Sequence, residues 1–168
     1  MSDEISEDRI VRLEELSAEA FQKFGDVVEV GTVDPVLINE KRCLRYSDLA
    51  EMEYLGEGRA GVSLFHADIR EIPYKLSLLE RHPLGSQCFV PMNDSEYMVI
   101  VAEDDGGRPA KPRAFLVSNS QSINFRRNTW HGVLTPLKGT GLFAVIDRIG
   151  VGNNLEEYRL DEPYFIVK

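Results

Sequence analysis

The sequence has few cysteines, no long apolar run and no excess of positive charge. Its two cysteines, Cys43 and Cys88, cannot build a disulfide framework, and their spacing matches no zinc motif. We therefore expect reduced thiols in a cytoplasmic protein. No apolar stretch reaches the length that spans a bilayer. Residues 1–8 are acidic where a targeting peptide is basic, so neither a membrane span nor a targeting segment is predicted.

The charge balance excludes two classes of partner. The chain carries 28 Asp and Glu against 19 Lys and Arg, which leaves a net charge of −9. A surface with this charge repels nucleic acid backbones and anionic lipid headgroups, so neither is expected as a partner. A small anionic substrate would need a local cluster of Arg, Lys or His. The length of 168 residues and the low content of 13 Gly and 8 Pro fit one globular domain.

Short β-rich runs separated by turn residues fill most of the chain. Runs spaced about 8–12 residues apart are typical of an all-β sandwich or barrel. Turn-forming residues at 104–107 and 150–154 punctuate the pattern. The predicted strands cover residues 27–30, 62–70, 74–82, 87–92, 97–103, 113–117, 122–127, 142–148 and 164–167.

One short helix and a flexible arm are expected before these strands. Ser17 is a favourable N-cap, Glu19 lies in the first turn and Gly25 can end the helix, which predicts a helix over 17–25. Residues 1–10 are polar and acidic without an apolar period, which indicates a flexible arm. Residues 11–168 are then expected to form a single domain.

Polar residues replace apolar ones at the end of the strand predicted over 74–82. Counting in steps of two places Leu76, Leu78, Glu80 and His82 on one face of that strand. Gln87 follows after a tight connection. If this face points into a barrel, an acid, an imidazole and an amide converge at the mouth of a cavity.

The same residues resemble the first motif of the cupin superfamily. Glu80, His82 and Gln87 occupy its slots with the expected spacing, although Glu replaces the first His and Gln replaces the Glu. His131, which ends a later strand, occupies the slot of the second motif. A lone histidine on an apolar strand is more often structural than catalytic, and we apply that interpretation to His66.

Longer stretches resemble the ureidoglycolate lyase family of the allantoin pathway. They are residues 80–92 (ERHPLGSQCFVPM), 124–131 (NFRRNTWH) and 146–154 (IDRIGVGNN), and the likeness extends from about residue 16 to residue 163. The resemblance implies an all-β, cupin-like β-barrel, here with a short N-terminal helix, and a homodimer. It also implies an enzyme of purine degradation, a lyase that splits ureidoglycolate into glyoxylate and urea.

Two positions depart from the family pattern. Gly132 stands where the family often has a second His, and Leu155 stands where it often has Cys. The first departure is expected to alter the mouth of the pocket and the second to alter packing.

The implied reaction needs a base, an acid and a binder for urea. As a hypothesis, His131 or Glu80 is the base, His82 donates a proton or polarises the substrate, and Gln87 binds the urea amide. An arginine is expected to hold the substrate carboxylate, because its planar fork matches a carboxylate. Candidates for this role are Arg148 as first choice, followed by Arg127 and Arg81.

No cofactor is required by this chemistry, although a metal site is possible. Glu80, His82 and His131 could supply two imidazoles and one carboxylate to Mn, Fe or Zn. Two alternatives to the lyase remain open at this point. One is a barrel of the same shape that binds a small carboxylated metabolite without turnover. The other is a metal-dependent hydrolase that releases ammonia from ureidoglycolate.

Overall fold

The computed structural model describes residues 5–168 and is built almost wholly of β-strands. In this range a single 3-10 turn covers Glu7–Arg9, and one short helix, α1, covers Ala18–Phe21. No helix of these residues is long and apolar enough to cross a membrane. The strands are β1 Ile10–Glu15, β2 Gly25–Val28, β3 Val36–Ile38, β4 Cys43–Arg45, β5 Arg59–His66, β6 Tyr74–Arg81, β7 Gln87–Pro91, β8 Glu96–Ala102, β9 Asp104–Asp105, β10 Arg108–Pro109, β11 Arg113–Val117, β12 Ser122–Phe125, β13 Trp130–His131, β14 Thr135–Lys138, β15 Leu142–Ile149 and β16 Glu156–Val167.

Six strands close into a ring. Their order is β11-β1-β16-β6-β13-β8, and pairing of β8 with β11 completes the ring. β13 pairs with residues 101–102 of β8, and β14 pairs with residues 96–98 on the same edge. Alternate residues of each strand point into the ring, and the residues at these positions are apolar. The buried residues inside the ring are Val11, Leu76, Leu79, Met98, Ile100, Ala102, Ala114, Trp130 and Ile166. The all-β, cupin-like barrel predicted from the sequence is confirmed.

A five-stranded sheet packs against the outside of this ring. Its order is β2-β12-β7-β15-β5. Tyr97, Val99 and Val101 alternate with the inward residues of β8 and therefore face this sheet. The core between the two layers holds the residues Leu16, Phe21, Phe24, Val27, Phe89, Tyr97, Val99, Val101, Phe115, Val117, Ile123, Phe125, Phe143 and Val145.

The strict alternation predicted along β6 is wrong in its first half. Leu76 and Leu79 both lie in the core of the ring although they are three residues apart. The break in alternation lies opposite an irregularity of the partner strand β16, whose residues 160–163 are opposed by Ser77 alone. Glu80 and Leu79 alternate normally beyond this irregularity, so Glu80 faces away from the interior of the ring.

The predicted helix is shorter than expected. The Ser17 side chain accepts a hydrogen bond from the Ala20 N–H, as a cap does, and Phe21 is fully buried. Gly25, however, begins β2 and does not end the helix. It lies opposite Phe125, and a Cβ there would collide with the carbonyl oxygen of Asn124. The close contact between two strands therefore explains this glycine.

Part of the predicted N-terminal arm lies outside the described residues, namely residues 1–4. In the rest of it, Arg9 is paired with Glu162 and lies over the ring of Tyr164. Ile10 already belongs to β1. These contacts attach the end of the arm to β16.

Candidate active site

Three side chains predicted as catalytic meet between the ring and the five-stranded sheet. Glu80 lies near the end of β6, His131 is its direct partner on β13, and His82 follows the end of β6. Their potential ligand atoms all lie within 4.8 Å of one another. The Nε2 atom of His82 is 3.9 Å from a carboxylate oxygen of Glu80, and the two imidazole centroids are 5.2 Å apart.

Backbone carbonyls fix the tautomer that each imidazole adopts in its neutral form. Nδ1 of His82 is 2.7 Å from the carbonyl oxygen of Asn154, and Nδ1 of His131 is 2.9 Å from that of Gly132. A carbonyl oxygen only accepts, so in each ring Nδ1–H donates and the neutral form has its lone pair on Nε2. Both Nε2 atoms are buried without a hydrogen-bond partner among the described residues.

Burial changes the acid–base properties of the cluster. It lowers the pKa of His131 to about 3, and the nearby His82 adds to the effect. His131 is therefore neutral at pH 7. Burial also raises the pKa of Glu80, against an opposing effect of His82. The cluster thus offers acceptor atoms in a poorly hydrated place, which suits a metal cation or the hydroxyl proton of a ligand.

A row of inward-facing residues on the five-stranded sheet faces this cluster. Phe125, Gln87 and Asp147 are direct neighbours on β12, β7 and β15. The Phe125 ring stacks on the His131 imidazole, with centroids 4.2 Å apart and planes 7° from parallel. Residues directly opposite on paired strands project to the same face, so Gln87 points to the same side as Phe125. The amide predicted to bind substrate is therefore adjacent to the cluster.

The three predicted arginines lie in different surroundings. Arg127 lies next to the segment that follows His82: its Nη1 donates to the carbonyl of Pro83, and its buried Nε has no hydrogen-bond partner in the described part of the chain. Its nearest carboxylate is that of Glu53, at 3.8 Å. The loop that carries Arg127 also donates the Asn128 N–H to the carbonyl of His82.

Arg81 and Arg148 are not brought to the cluster. Arg81 is bonded to Asp104 and Glu156 and covers the ring of Trp130, whose neighbours form the interior of the ring of strands. Arg148 follows Asp147 on β15 and so points to the opposite face of the sheet. Its Nε and Nη2 donate to backbone carbonyls of residues 55 and 151.

Known proteins resemble this chain over nearly its whole length. The family model described as ureidoglycolate lyase matches residues 8–167. The chain belongs to the ureidoglycolate lyase family. A ureidoglycolate lyase of Rhodobacter capsulatus is 49% identical over 154 residues, 92% of this chain and 96% of that protein. Ureidoglycolate lyase 2 of Rhizobium meliloti is 47% identical over 150 residues, 89% of this chain and 92% of that protein. The ureidoglycolate lyase of Agrobacterium fabrum is 46% identical over 154 residues, 91% and 93% of the two chains.

The structure gives the surroundings of the two departures from the ureidoglycolate lyase pattern. A Cβ on Gly132 would lie 3.3 Å from Ile100 and 3.6 Å from Leu76, which belong to the ring interior. The expectation that Gly132 shapes the pocket mouth is therefore wrong, because its side-chain direction leads into the core. Leu155 is 46% exposed, so most of the core packing is independent of it.

Two polar residues near the candidate site of this ureidoglycolate lyase family member were not predicted from the sequence. Asp147 accepts a hydrogen bond from Nε2 of Gln87 at 3.2 Å. Tyr54, bridged to Gly85, has a buried hydroxyl without a partner among residues 5–168, and burial raises its pKa, with added effects of Cys88 and Asp147. Counting in steps of two along 142–148 would have put Asp147 on the buried face. No local signal marks Tyr54.

Proposed function

We propose that this protein cleaves ureidoglycolate to glyoxylate and urea. The observation that carries the proposal is the meeting of Glu80, His82 and His131, whose acceptor atoms are buried with both Nε2 atoms unpartnered among the described residues. Such a cluster matches the reacting carbon of ureidoglycolate, which bears a hydroxyl, a carboxylate and a nitrogen. The activity for which the relatives are named supports the same substrate.

The reaction requires that the substrate hydroxyl loses one proton and that the departing nitrogen takes up one proton. A base removes the hydroxyl proton, and the electron pair left on oxygen forms the carbonyl of glyoxylate. The bond from this carbon to the urea nitrogen then breaks, and the nitrogen keeps the bonding pair and takes up a proton. We assign the proton transfer to Glu80, the one carboxylate of the cluster, with His82 polarising the substrate at 3.9 Å from it. His131 supplies a second acceptor held flat against Phe125.

Two groups bind the ends of the substrate in this proposal. Gln87 receives the ureido group, because its buried Oε1 has no partner in the described range. Arg127 holds the carboxylate of the substrate, because its buried Nε is a donor without a hydrogen-bond partner among the described residues and its Nη1 contacts Pro83, which follows His82. Arg127 therefore replaces Arg148 as the first choice.

The cluster also fits a divalent metal ion. Two imidazole nitrogens and one carboxylate oxygen are a common ligand set of divalent ions, and both imidazoles have the backbone partners that orient such ligands. Glu80, His82 and His131 would hold the ion. When bound, it would draw electron density from the substrate oxygens and lower the proton affinity of the hydroxyl. The expectation that no cofactor is required stays a prediction.

Incubation of the purified protein with ureidoglycolate tests the function directly. We expect glyoxylate and urea in equal amounts and no ammonia. Ammonia in place of urea would indicate the hydrolase, and binding without turnover would indicate a metabolite-binding protein. The same assay after treatment with a chelator, with metal analysis of the protein before and after, tests the ion.

Two histidine variants test the assignment of the cluster. His82→Ala and His131→Asn should each lower kcat by about 10²–10⁴-fold, the usual size of acid–base effects. His66→Ala is the matched control, since the His66 ring is exposed and bonded only to the carbonyl of Thr140 among the described residues. Activity of the first two variants equal to that of the control would reject the assignment.

We also propose a homodimer formed through the exposed outer face of β5. This edge strand carries Val62 and Leu64, which are 73% and 64% exposed. An edge strand with exposed apolar side chains is suited to pairing with a second copy. Light scattering should give twice the chain mass, and Val62→Lys combined with Leu64→Lys should give the mass of one chain.

Three further expectations stay predictions. They are a single catalytic domain over residues 11–168, a flexible arm over residues 1–10 and a cytoplasmic location.

A further inference from the structure

A polar row ends the apolar packing of the five-stranded sheet. Moving along the inner face from the row of Ile123, Phe89 and Val145, the next row contains Phe125, Gln87 and Asp147. Two of these three residues are polar. Gln87 is only 6% exposed, so its amide is a buried polar group that requires partners.

Asp147 determines which way the amide of Gln87 is turned. An ionised carboxylate only accepts hydrogen bonds, whereas an amide has a donor end and an acceptor end. The NH2 group of Gln87 therefore points to Asp147, at 3.2 Å. The carbonyl oxygen of Gln87 then points away from Asp147, and it is buried without a partner among residues 5–168. The amide therefore has one N–H committed to Asp147 and its acceptor oxygen free.

The residue that carries the free oxygen adjoins the stacked pair of Phe125 and His131. Gln87 is the direct neighbour of Phe125, and the ring of Phe125 stacks on His131. An unpartnered buried acceptor is energetically unfavourable, and a ligand with an N–H group can recover that cost. The ureido end of the substrate carries such N–H groups, and its terminal NH2 is the group that a similar N-acyl compound lacks.

We propose that Asp147 is a positioning residue that, through Gln87, selects substrates whose leaving group ends in NH2. This inference rests on the proposed function. Asp147 does not touch the substrate; it prevents the amide of Gln87 from turning its NH2 group toward the ligand. With Asn at this position, which can donate as well as accept, both orientations of Gln87 are satisfied and the selection weakens.

Two substrates and a set of variants at Gln87 and Asp147 test the inference. The substrates are ureidoglycolate and N-acetyl-2-hydroxyglycine, in which a methyl group replaces the terminal NH2. The wild-type protein should prefer ureidoglycolate by about 10²–10⁴-fold in kcat/KM, as a site built to bond an N–H does. Asp147→Asn should raise KM for ureidoglycolate by about 10-fold with little change in kcat, and lower the preference by a similar factor. Gln87→Glu should be impaired because it places two carboxylates side by side.

The double variant Gln87→Glu with Asp147→Asn provides the rescue. The asparagine introduced on β15 donates to one oxygen of the carboxylate introduced on β7, and the other oxygen remains an acceptor for the ligand. The preference should therefore return to within about threefold of wild type. Asp161→Asn, an exposed carboxylate on β16, is the control and should behave as wild type. If Asp147→Asn does not fold, Gln87→Leu leaves Asp147 in place and should lose the preference equally.

The outcomes separate the inference from the proposed function. If the wild-type protein does not cleave ureidoglycolate, both are overturned. If it does, but Asp147→Asn changes both substrates by the same factor or neither, the inference alone is overturned.

Discussion

Replacement of Phe125 by Leu should impair activity beyond its effect on stability. Phe125 is 4% exposed and has three ring partners, His131 at 4.2 Å, Phe89 at 5.9 Å and Phe21 at 6.1 Å between centroids. Leucine refills most of the apolar volume but provides no flat face. Aromatic pairs contribute about 0.5–1.5 kcal/mol each, so the loss of three pairs should lower the free energy of unfolding by about 2–4 kcal/mol. Without the stacked ring, His131 can tilt, and kcat should fall on the order of tenfold, which is about 1.4 kcal/mol.

Phe89→Leu is the matched control. Phe89 is 5% exposed and has ring contacts with Phe65 and Phe125 but none with His131. Its replacement should cost about 1–3 kcal/mol of stability by the same count, while kcat stays within about twofold. Urea denaturation and steady-state kinetics on both variants supply the comparison. Equal effects on kcat in the two variants, or an unchanged kcat in Phe125→Leu, would refute the role of the stack.

Two further predictions concern stability. Burial raises the pKa of Cys88 to about 11, so between about pH 9 and 11 the unfolded chain loses this proton while the folded chain keeps it. The free energy of unfolding should therefore fall by about 2–3 kcal/mol across this window. Denaturation measured at several pH values should give a smaller fall for Cys88→Ala than for the wild-type protein. An equal dependence of the free energy of unfolding on pH in the two proteins would contradict this. Gly25→Ala should lower the free energy of unfolding by more than about 3 kcal/mol, because its Cβ would collide with the Asn124 carbonyl. Gly106→Asn, in an open left-handed turn, should lower it by under about 1 kcal/mol. Similar thermal midpoints for the two variants would contradict this prediction.

Long apolar strands were predictable from the sequence. The predicted strand 113–117 coincides with β11, and the ends of β6, β7 and β8 were predicted within about one residue. Their apolar and β-branched residues give a local signal. The strands β1, β3, β4, β9, β10 and β14 were not predicted, and all of them except β1 have only two to four residues. A two-residue strand such as Trp130–His131 exists because β6 and β8 pair with it on both sides, which no local pattern encodes.

Strand order and side-chain direction limited the prediction of the site. Alternation along the predicted strand 74–82 placed Glu80 and His82 on one face, and the resemblance to the cupin motifs added His131 to them. Neither could place the site between the ring and the sheet, because the order of strands depends on distant pairing. Sequence reasoning chose Arg148 to bind the substrate carboxylate because of its residue type. In the structure the guanidinium of Arg148 is bonded to backbone carbonyls, and the inward face of β15 carries Asp147.

In the proposed site, the location of the cluster between two layers separates the reacting groups from the groups that bind the urea end of the substrate. The strands of the closed ring and the residue just after β6 supply Glu80, His82 and His131, whereas the open sheet supplies Gln87 and Asp147. Substitutions in the row on the open sheet can therefore change which leaving group is accepted while the reacting groups stay on a scaffold closed by its own hydrogen bonds. Evolution or design of a related C–N lyase on this fold would begin in β7 and β15 and leave β6 and β13 untouched.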